Sequence, residues 1–179
     1  MYERLEGNNI VLRKAIPADY KSMLENIWSD EEVYKWMLFQ PTLTVEDAID
    51  RTERTIEYQK NAYAYFVALK DSNEAIGFCG IKEKEPGHFD ESGICIARKC
   101  QGNGYGKEVV SLPLDLAFNK LNAIDFQYGY FQDNHKSKKL AEKFGFAYDR
   151  TIEFIRPWDQ ELKLIDECLL DRETYLTSL

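Results

Sequence analysis

Residues 91–110 read ESGICIARKCQGNGYGKEVV, which puts Gly102, Gly104 and Gly106 between an apolar run typical of a strand and a periodic run typical of a helix. No other feature constrains the fold as tightly. A turn from the carboxyl end of a strand into the amino end of a helix points several unpaired backbone N–H groups, with the positive end of the helix dipole, at one spot. Glycines remove the Cβ atoms that would hold an anion away and permit positive φ. The turn is therefore suited to phosphate. Spacing rules out two familiar phosphate loops. A Walker A loop needs glycine at position 101 and Ser or Thr at 108, where Gln101 and Glu108 stand. A dinucleotide fingerprint needs glycine where Lys107 stands, and Asp125 opens its strand rather than ending it.

The rest of the chain gives that turn a setting. NIVLRKA (9–15) alternates as a strand. After Pro17, the residues Tyr20, Met23, Leu24, Ile27 and Trp28 mark one amphipathic helix. EEVYKWMLFQP is less regular and reads as a short helix closed by Pro41, whereas Thr44 caps a longer one reaching about Gln59. AYAYFVALK and EAIGFCGIKE form a hairpin across Asp71-Ser72-Asn73, and SGICIA is a further strand. Beyond the glycines, a helix runs to about Leu121 with a bend expected at Pro113. AIDFQYGYF is a strand, NHKSKKLAEKFG a short helix ended by Gly145, and FAYDRTIEFIR with ELKLIDECLL a closing hairpin. The predicted order is β α α β β β α β α β β, a mixed α/β class in a single domain.

Composition narrows the partners. Net charge is −8, from 23 basic and 31 acidic residues, which disfavours a nucleic-acid backbone and tolerates a cationic or amine partner. No apolar stretch is long enough for a membrane span and no targeting segment appears, so a cytoplasmic protein is expected. Cys79, Cys95, Cys100 and Cys168 are scattered and the two histidines, His88 and His135, lie far apart, so neither a metal site nor a disulfide framework is expected. The cysteines read as reduced and mostly buried.

The pattern Gln101-x-x-Gly104-x-Gly106 resembles the acetyl-CoA pyrophosphate loop, [QR]-x-x-G-x-[GA], of the Gcn5-related N-acetyltransferase superfamily, and the order of elements is similar too. A second segment, NHKSKKLAEKFGF with Asn134, Ser137, Gly145 and Phe146, looks like that family's N-x-x-[SA]…GF segment. The resemblance runs from Leu5 to about Tyr175. The opening LEGNNIVLRKAIPADY is closest to the branch of the ribosomal-protein N-terminal acetyltransferases. It implies a central, mostly antiparallel, splayed sheet of six to seven strands flanked by about four helices.

The resemblance also implies roles. Backbone amides of Gly102, Asn103, Gly104, Tyr105, Gly106 and Lys107 would hold the acetyl-CoA diphosphate, with Gln101, Arg98 and Lys99 beside them. Ile94 and Ile96 would pair with the pantetheine arm, and Gly93 would carry a bulge. Asn134 and Ser137 would contact the arm. Many family members carry a tyrosine acid seven residues after the asparagine, where this chain has Ala141. Ser137 is then the expected proton donor, against the reading that it only bonds the helix backbone. Glu91 and Glu153 are the candidate bases. Trp28, Tyr34, Trp36 and Phe39, with Trp158, fall in segments that flank the family's acceptor cleft, although aromatics at this density also fill cores. Asp30, Glu31 and Glu32 would suit an amine. The expected activity is acetyl transfer to a primary amine, first a peptide or protein N-terminus and second a small amine or antibiotic, by a monomer or homodimer without metal. A CoA-binding regulatory domain without turnover and a nucleotide-binding module remain open alternatives.

Overall fold

The computed structural model describes residues 2–177. Its strands are β1 (Arg4–Glu6), β2 (Ile10–Arg13), β3 (Tyr63–Leu69), β4 (Ala75–Glu85), β5 (His88–Ile96), β6 (Asp125–Phe131), β7 (Ala147–Ile155) and β8 (Leu162–Asp171). Its helices are α1 (Tyr20–Met23), α2 (Glu31–Tyr34), α3 (Val45–Gln59), α4 (Tyr105–Asp115), α5 (His135–Lys143) and α6 (Arg172–Thr177). Hydrogen bonding orders the strands β1-β2-β3-β4-β5-β6-β8-β7, mostly antiparallel, with β5 and β6 parallel. The mixed α/β class is as the sequence predicts. Eight strands replace the expected six to seven because Arg4–Glu6, too short to show a period, pairs with β2.

Two compact units share the chain, one made by residues up to Ile81 with Ser92–Pro113, the other by Lys82–Glu91 with Leu114 onwards. In the first, β2 pairs antiparallel with β3 and β3 with β4. Ile10, Leu12, Phe66, Val67, Ile76, Met23, Ile27 and Trp28 fill its core, and Trp28 meets Phe66 edge to face at 6.2 Å. The helix expected from Tyr20 to Trp28 exists, but α1 widens into a π turn over Leu24–Trp28, with Ser29 N donating to Leu24 O. Thr44 caps α3 as predicted, its Oγ1 accepting from Asp47 N at 3.1 Å. Asp30 caps α2 in the same way, accepting from Glu32 N.

Two carboxylates brace this unit. Asp19 takes both Nη1 and Nη2 of Arg13 at 2.8 Å, with both side chains buried. Glu108, in the first turn of α4, accepts from Asn9 N at 3.0 Å, Ile10 N at 3.3 Å and Asn9 Nδ2 at 2.5 Å. Burial pushes the Glu108 carboxyl up, but these donors outweigh it and hold the group below its ordinary value. The start of α4 is thereby tied to the entry of β2.

In the second unit the parallel ladder of β5 with β6 has three pairs, from His88↔Asp125 to Asp90↔Gln127. β6 then pairs antiparallel with β8, and β8 with β7. Phe126, Tyr128, Phe146 and Leu170 are buried, and Phe118 stacks on Tyr175 at 4.5 Å. Pro113 does not end its helix. The main chain continues to Asp115 and widens into a π turn over Leu116–Lys120, with Leu121 N donating to Leu116 O.

Glu108→Ala should cost about 2 kcal/mol, because it strands charge-assisted donors at Asn9 and Ile10. Glu108→Gln, which keeps an acceptor, should cost less. Urea midpoints for the two variants would test the order, and equal midpoints would contradict it.

Candidate active site

In the first unit the glycine turn leaves β5 through a short 3₁₀ turn, Arg98–Cys100, and enters α4 at Tyr105. Gly102 and Gly104 have φ of +85° and +83°, which only glycine adopts without strain, and a Cβ built at either meets no protein atom within 4 Å. Gln101 N is bonded to Arg98 O and Lys107 N to Gly104 O. Among the described residues, the amides of Gly102, Asn103, Gly104, Tyr105 and Gly106 donate to no acceptor within the chain. These orphan donors sit at the amino end of an 11-residue helix, the arrangement that attracts phosphate oxygens.

The hydrogen-bond phase of the strand leading into the turn is set by its end. Ala97 N donates to Ile76 O of β4 at 2.7 Å. Strand alternation then aims the peptide groups of Ile94 and Ile96 at the opposite edge. There the Ile96 carbonyl already accepts from Gln101 Nε2 at 3.2 Å. Gly93 has φ of +114°, and a Cβ on it would stand 2.8 Å from Phe78 Cε2, so the irregularity predicted there requires glycine. Cys95 is buried, its thiol pushed up to about 12 by desolvation. All four cysteines are free and buried, and no group of three or more His, Cys, Asp or Glu suited to a metal occurs among the described residues.

Several expected positions are corrected. Arg98 and Lys99 are not free cations: Arg98 Nε lies 3.4 Å from Asp30 Oδ2, and Lys99 Nζ donates to Glu74 Oε1 at 2.7 Å. Asp30 is thus occupied as well, leaving Glu31 and Glu32 exposed, the latter paired with Lys35. Lys107 is exposed and makes no ion pair among the described residues. Trp28 is only 2% exposed and has no face for an acceptor; periodicity put it on the apolar side of its helix, which is the core side. Tyr34, Trp36 and Phe39 are half-buried, with Lys35 over Trp36 and Phe39 edge-on to Phe78 at 5.9 Å.

The second unit holds the other candidates. Asn134 is the N-cap of α5, its Oδ1 accepting from Ser137 N at 3.2 Å, and its Nδ2 donates to nothing among the described residues. Ser137 is half-buried, and its side chain acts on the Tyr128 phenol, opposing the rise that burial causes. Burial pushes the Tyr128 phenol far above the ordinary tyrosine range, and the charge of Glu91 pushes the same way. Glu91, Tyr128 and Ser137 therefore form one interacting set. Tyr128 is the member that the sequence did not single out; its only signal was its place in the alternation Phe126, Tyr128, Tyr130. Glu153 is exposed on β7 and bonded to no side chain among the described residues, so nothing around it favours a base. Ala141, at the family's tyrosine position, is buried and lines a cavity of about 420 Å³ with Tyr130, Glu142, Asp166 and Cys168. Trp158, in the last hairpin, is covered by the Arg156 guanidinium at 4.3 Å.

The profile of the acetyltransferase (GNAT) domain matches residues 9–147. The chain belongs to the GNAT acetyltransferase family. It is similar to the uncharacterized N-acetyltransferase p20 of Bacillus licheniformis, 31% identical over 150 residues that cover 80% of this chain and 82% of that protein. YoaA of Bacillus subtilis, also named an N-acetyltransferase, is 26% identical over 155 residues, covering 85% and 87%. Among solved structures, a GCN5-related N-acetyltransferase from Brucella melitensis gives a TM-score of 0.85 at 13% identity, covering 99% of this chain and 82% of that one. RimL, a ribosomal L7/L12 alpha-N-protein acetyltransferase, gives 0.77 at 15% identity, covering 96% and 95%. The acetyltransferase fold is therefore shared with both. No helix among the described residues is long and apolar enough to cross a membrane.

The Tyr128 environment has a measurable consequence. A phenol that holds its proton more tightly folded than unfolded contributes stability that is fully present below the unfolded value, about 10, and is lost as pH rises above it. Between about pH 9 and pH 11 the folding free energy should fall, by up to about 1.4 kcal/mol per pH unit for each such phenol. Tyr128→Phe should flatten that slope in urea titrations, with Tyr65 and Tyr130, raised chiefly by burial as well, accounting for what remains. An unchanged slope would place Tyr128 in contact with water.

Proposed function

We propose that this acetyltransferase takes acetyl-CoA as donor and acetylates a primary amine, with a peptide or protein N-terminus as the first class of acceptor. The observation that carries the reading is the row of five amides from Gly102 to Gly106 that lack an acceptor at the amino end of α4. The residues fit a diphosphate: glycines at positive φ leave the approach free of Cβ atoms, and Lys107 adds an exposed cation with no ion pair among the described residues. Bound acetyl-CoA supplies an activated acetyl thioester. Ile94 and Ile96 offer peptide groups to an extended arm, as a neighbouring strand would. The loop amides bind and orient by dipoles already fixed in the fold, at no cost of reorganisation.

Ser137, whose side chain acts on the Tyr128 phenol, is the proposed proton donor. Tyr128, kept neutral by burial, is suited to orient the Ser137 hydroxyl, and the proton that Ser137 gives the departing thiolate is replaced by the one the amine loses on acylation. This pair supports turnover despite Ala141. Glu91, which precedes Ser92 on β5 and interacts electrostatically with Tyr128, is favoured over the exposed Glu153 as the base. The RimL structure is itself named for acetylating a protein α-amine, and the opening segment of this chain resembles that branch; both favour an α-amine acceptor.

Gly104→Val forces a β-branched residue to positive φ and places methyls where phosphate oxygens would lie. It should weaken acetyl-CoA binding at least about a hundredfold, or ~2.7 kcal/mol, while circular dichroism remains that of the parent. Calorimetry giving an unchanged Kd would remove the loop from the reading. Ser137→Ala should lower kcat by about ten- to a hundredfold with little change in acetyl-CoA affinity. A matched loss in affinity and kcat would reduce Ser137 to a binding group.

A further inference from the structure

We propose that Arg51 is an anchor for a carboxylate carried by the acceptor, so that the preferred substrates are amines bearing a carboxylate. The inference rests on the acetyl-transfer reading above and specifies its acceptor. Arg51 lies on α3 in the first unit, with its guanidinium carbon 4.7 Å from the Trp28 ring centroid and 4.4 Å from that of Phe39. Nη1 donates to Gln40 O at 3.1 Å and to Thr42 Oγ1 at 2.8 Å. Those two bonds use one nitrogen of three. Nε and Nη2, the two nitrogens that form the side-on fork for a carboxylate, make no hydrogen bond among the described residues, and neither is sealed from solvent.

The charge is also uncompensated. The buried arginines of the chain carry acid partners: Arg13 binds Asp19, and Arg156 binds Asp159 and Glu161. Arg51 is half-buried and has no carboxylate partner among the described residues, in a chain with 31 acids to 23 bases. Aromatic faces attract a cation but do not neutralise it, and a desolvated guanidinium without a counter-ion is unfavourable. Burial lowers its pKa to about 10, which leaves it charged at neutral pH. Two rings and two oxygens hold the group in one orientation, so its free edge is preorganised. Its position suits an acceptor contact: Phe39, on which the guanidinium stacks, meets Phe78 edge-on at 5.9 Å, and the Phe78 ring lies against Gly93 on the strand assigned to the thioester arm. Phe39, one of the aromatics expected to flank the acceptor, is the ring it stacks on. The anchor thus gives Trp28 an indirect part: the buried indole supports the guanidinium rather than the substrate.

Two sources of carboxylate share this chemistry, a free amino acid and an acidic side chain near a peptide N-terminus, and matched pairs separate them. One pair is an amino acid against its amide; the other is a peptide with Asp against Asn at its second position. CoA release is measured with each, alongside binding of the same compounds by ligand-observed NMR and of acetyl-CoA by calorimetry. The expected result is a preference of at least about tenfold for the acid member of one pair, expressed mainly in KM. Arg51→Met should reduce it to about twofold or less, with acetyl-CoA affinity retained. Arg51→Lys, which keeps the charge without the fork, should restore part of it. A merely structural arginine would lower acid and amide alike, and that outcome, or equal use of acid and amide by the parent, overturns the proposal. Arg51-dependent binding of the acid member without any acetylation would instead uphold the anchor and sink the acetyl-transfer reading.

Discussion

The Glu108 carboxylate, bonded to Asn9 and to Ile10 N, is the contact on which the loop proposed to bind the donor depends. An orphan amide binds phosphate usefully only if it points the same way before and after the ligand arrives, since reorganisation would be subtracted from affinity. The loop cannot supply that rigidity itself: it is exposed, rich in glycine and made of residues whose amides have no internal partner. Stiffness must come from the helix behind it. Glu108 provides it by joining the first turn of α4 to β2 across 99 positions of sequence, in a geometry that keeps the carboxyl ionised. The loop can then be open where it meets ligand and fixed where it meets the fold.

This division explains which parts of the molecule were legible in the sequence. Glycine spacing and the Thr44 cap are local signals, encoded within a few residues: the glycines take the positive φ the turn needs and Thr44 accepts from Asp47 N, whereas Asn134, expected only to contact the coenzyme arm, stands as the N-cap of α5. Contacts between distant positions left no such mark. Nothing in the text of the chain ties Glu108 to Asn9, Ser137 to Tyr128, or Arg51 to Trp28 and Phe39. Trp28 illustrates the limit. Its helical period located it on an apolar face, and only the fold decides whether such a face meets a core or a ligand. Arg98 and Lys99 fail similarly, since a basic pair beside a phosphate loop looks free until Asp30 and Glu74 are found against it.

Those ion pairs alter the electrostatic account of the donor. With Arg98 and Lys99 matched by acids, and a net charge of −8, the attraction of the proposed coenzyme would fall to short-range amide dipoles and to Lys107. Dipole contacts act within hydrogen-bond distance and are little affected by the screening that weakens surface charge over about 8–10 Å. An acidic protein can hold phosphate in this way without a basic face that would also draw nucleic acid.

The same argument gives Arg51 its weight on the acceptor side. Cations near acids in this chain are mostly neutralised at the surface, where a pair contributes little. A guanidinium kept between two rings, with its fork open, has been denied that easy compensation by its surroundings. A charge that costs stability in the free protein and gains it on meeting a carboxylate converts the cost into selectivity, because an amide in the same place leaves the desolvated fork unanswered. Discrimination of this kind needs no extra apolar contact. It requires only that the arginine be half-buried, held against the two rings, and without an acid partner among the described residues.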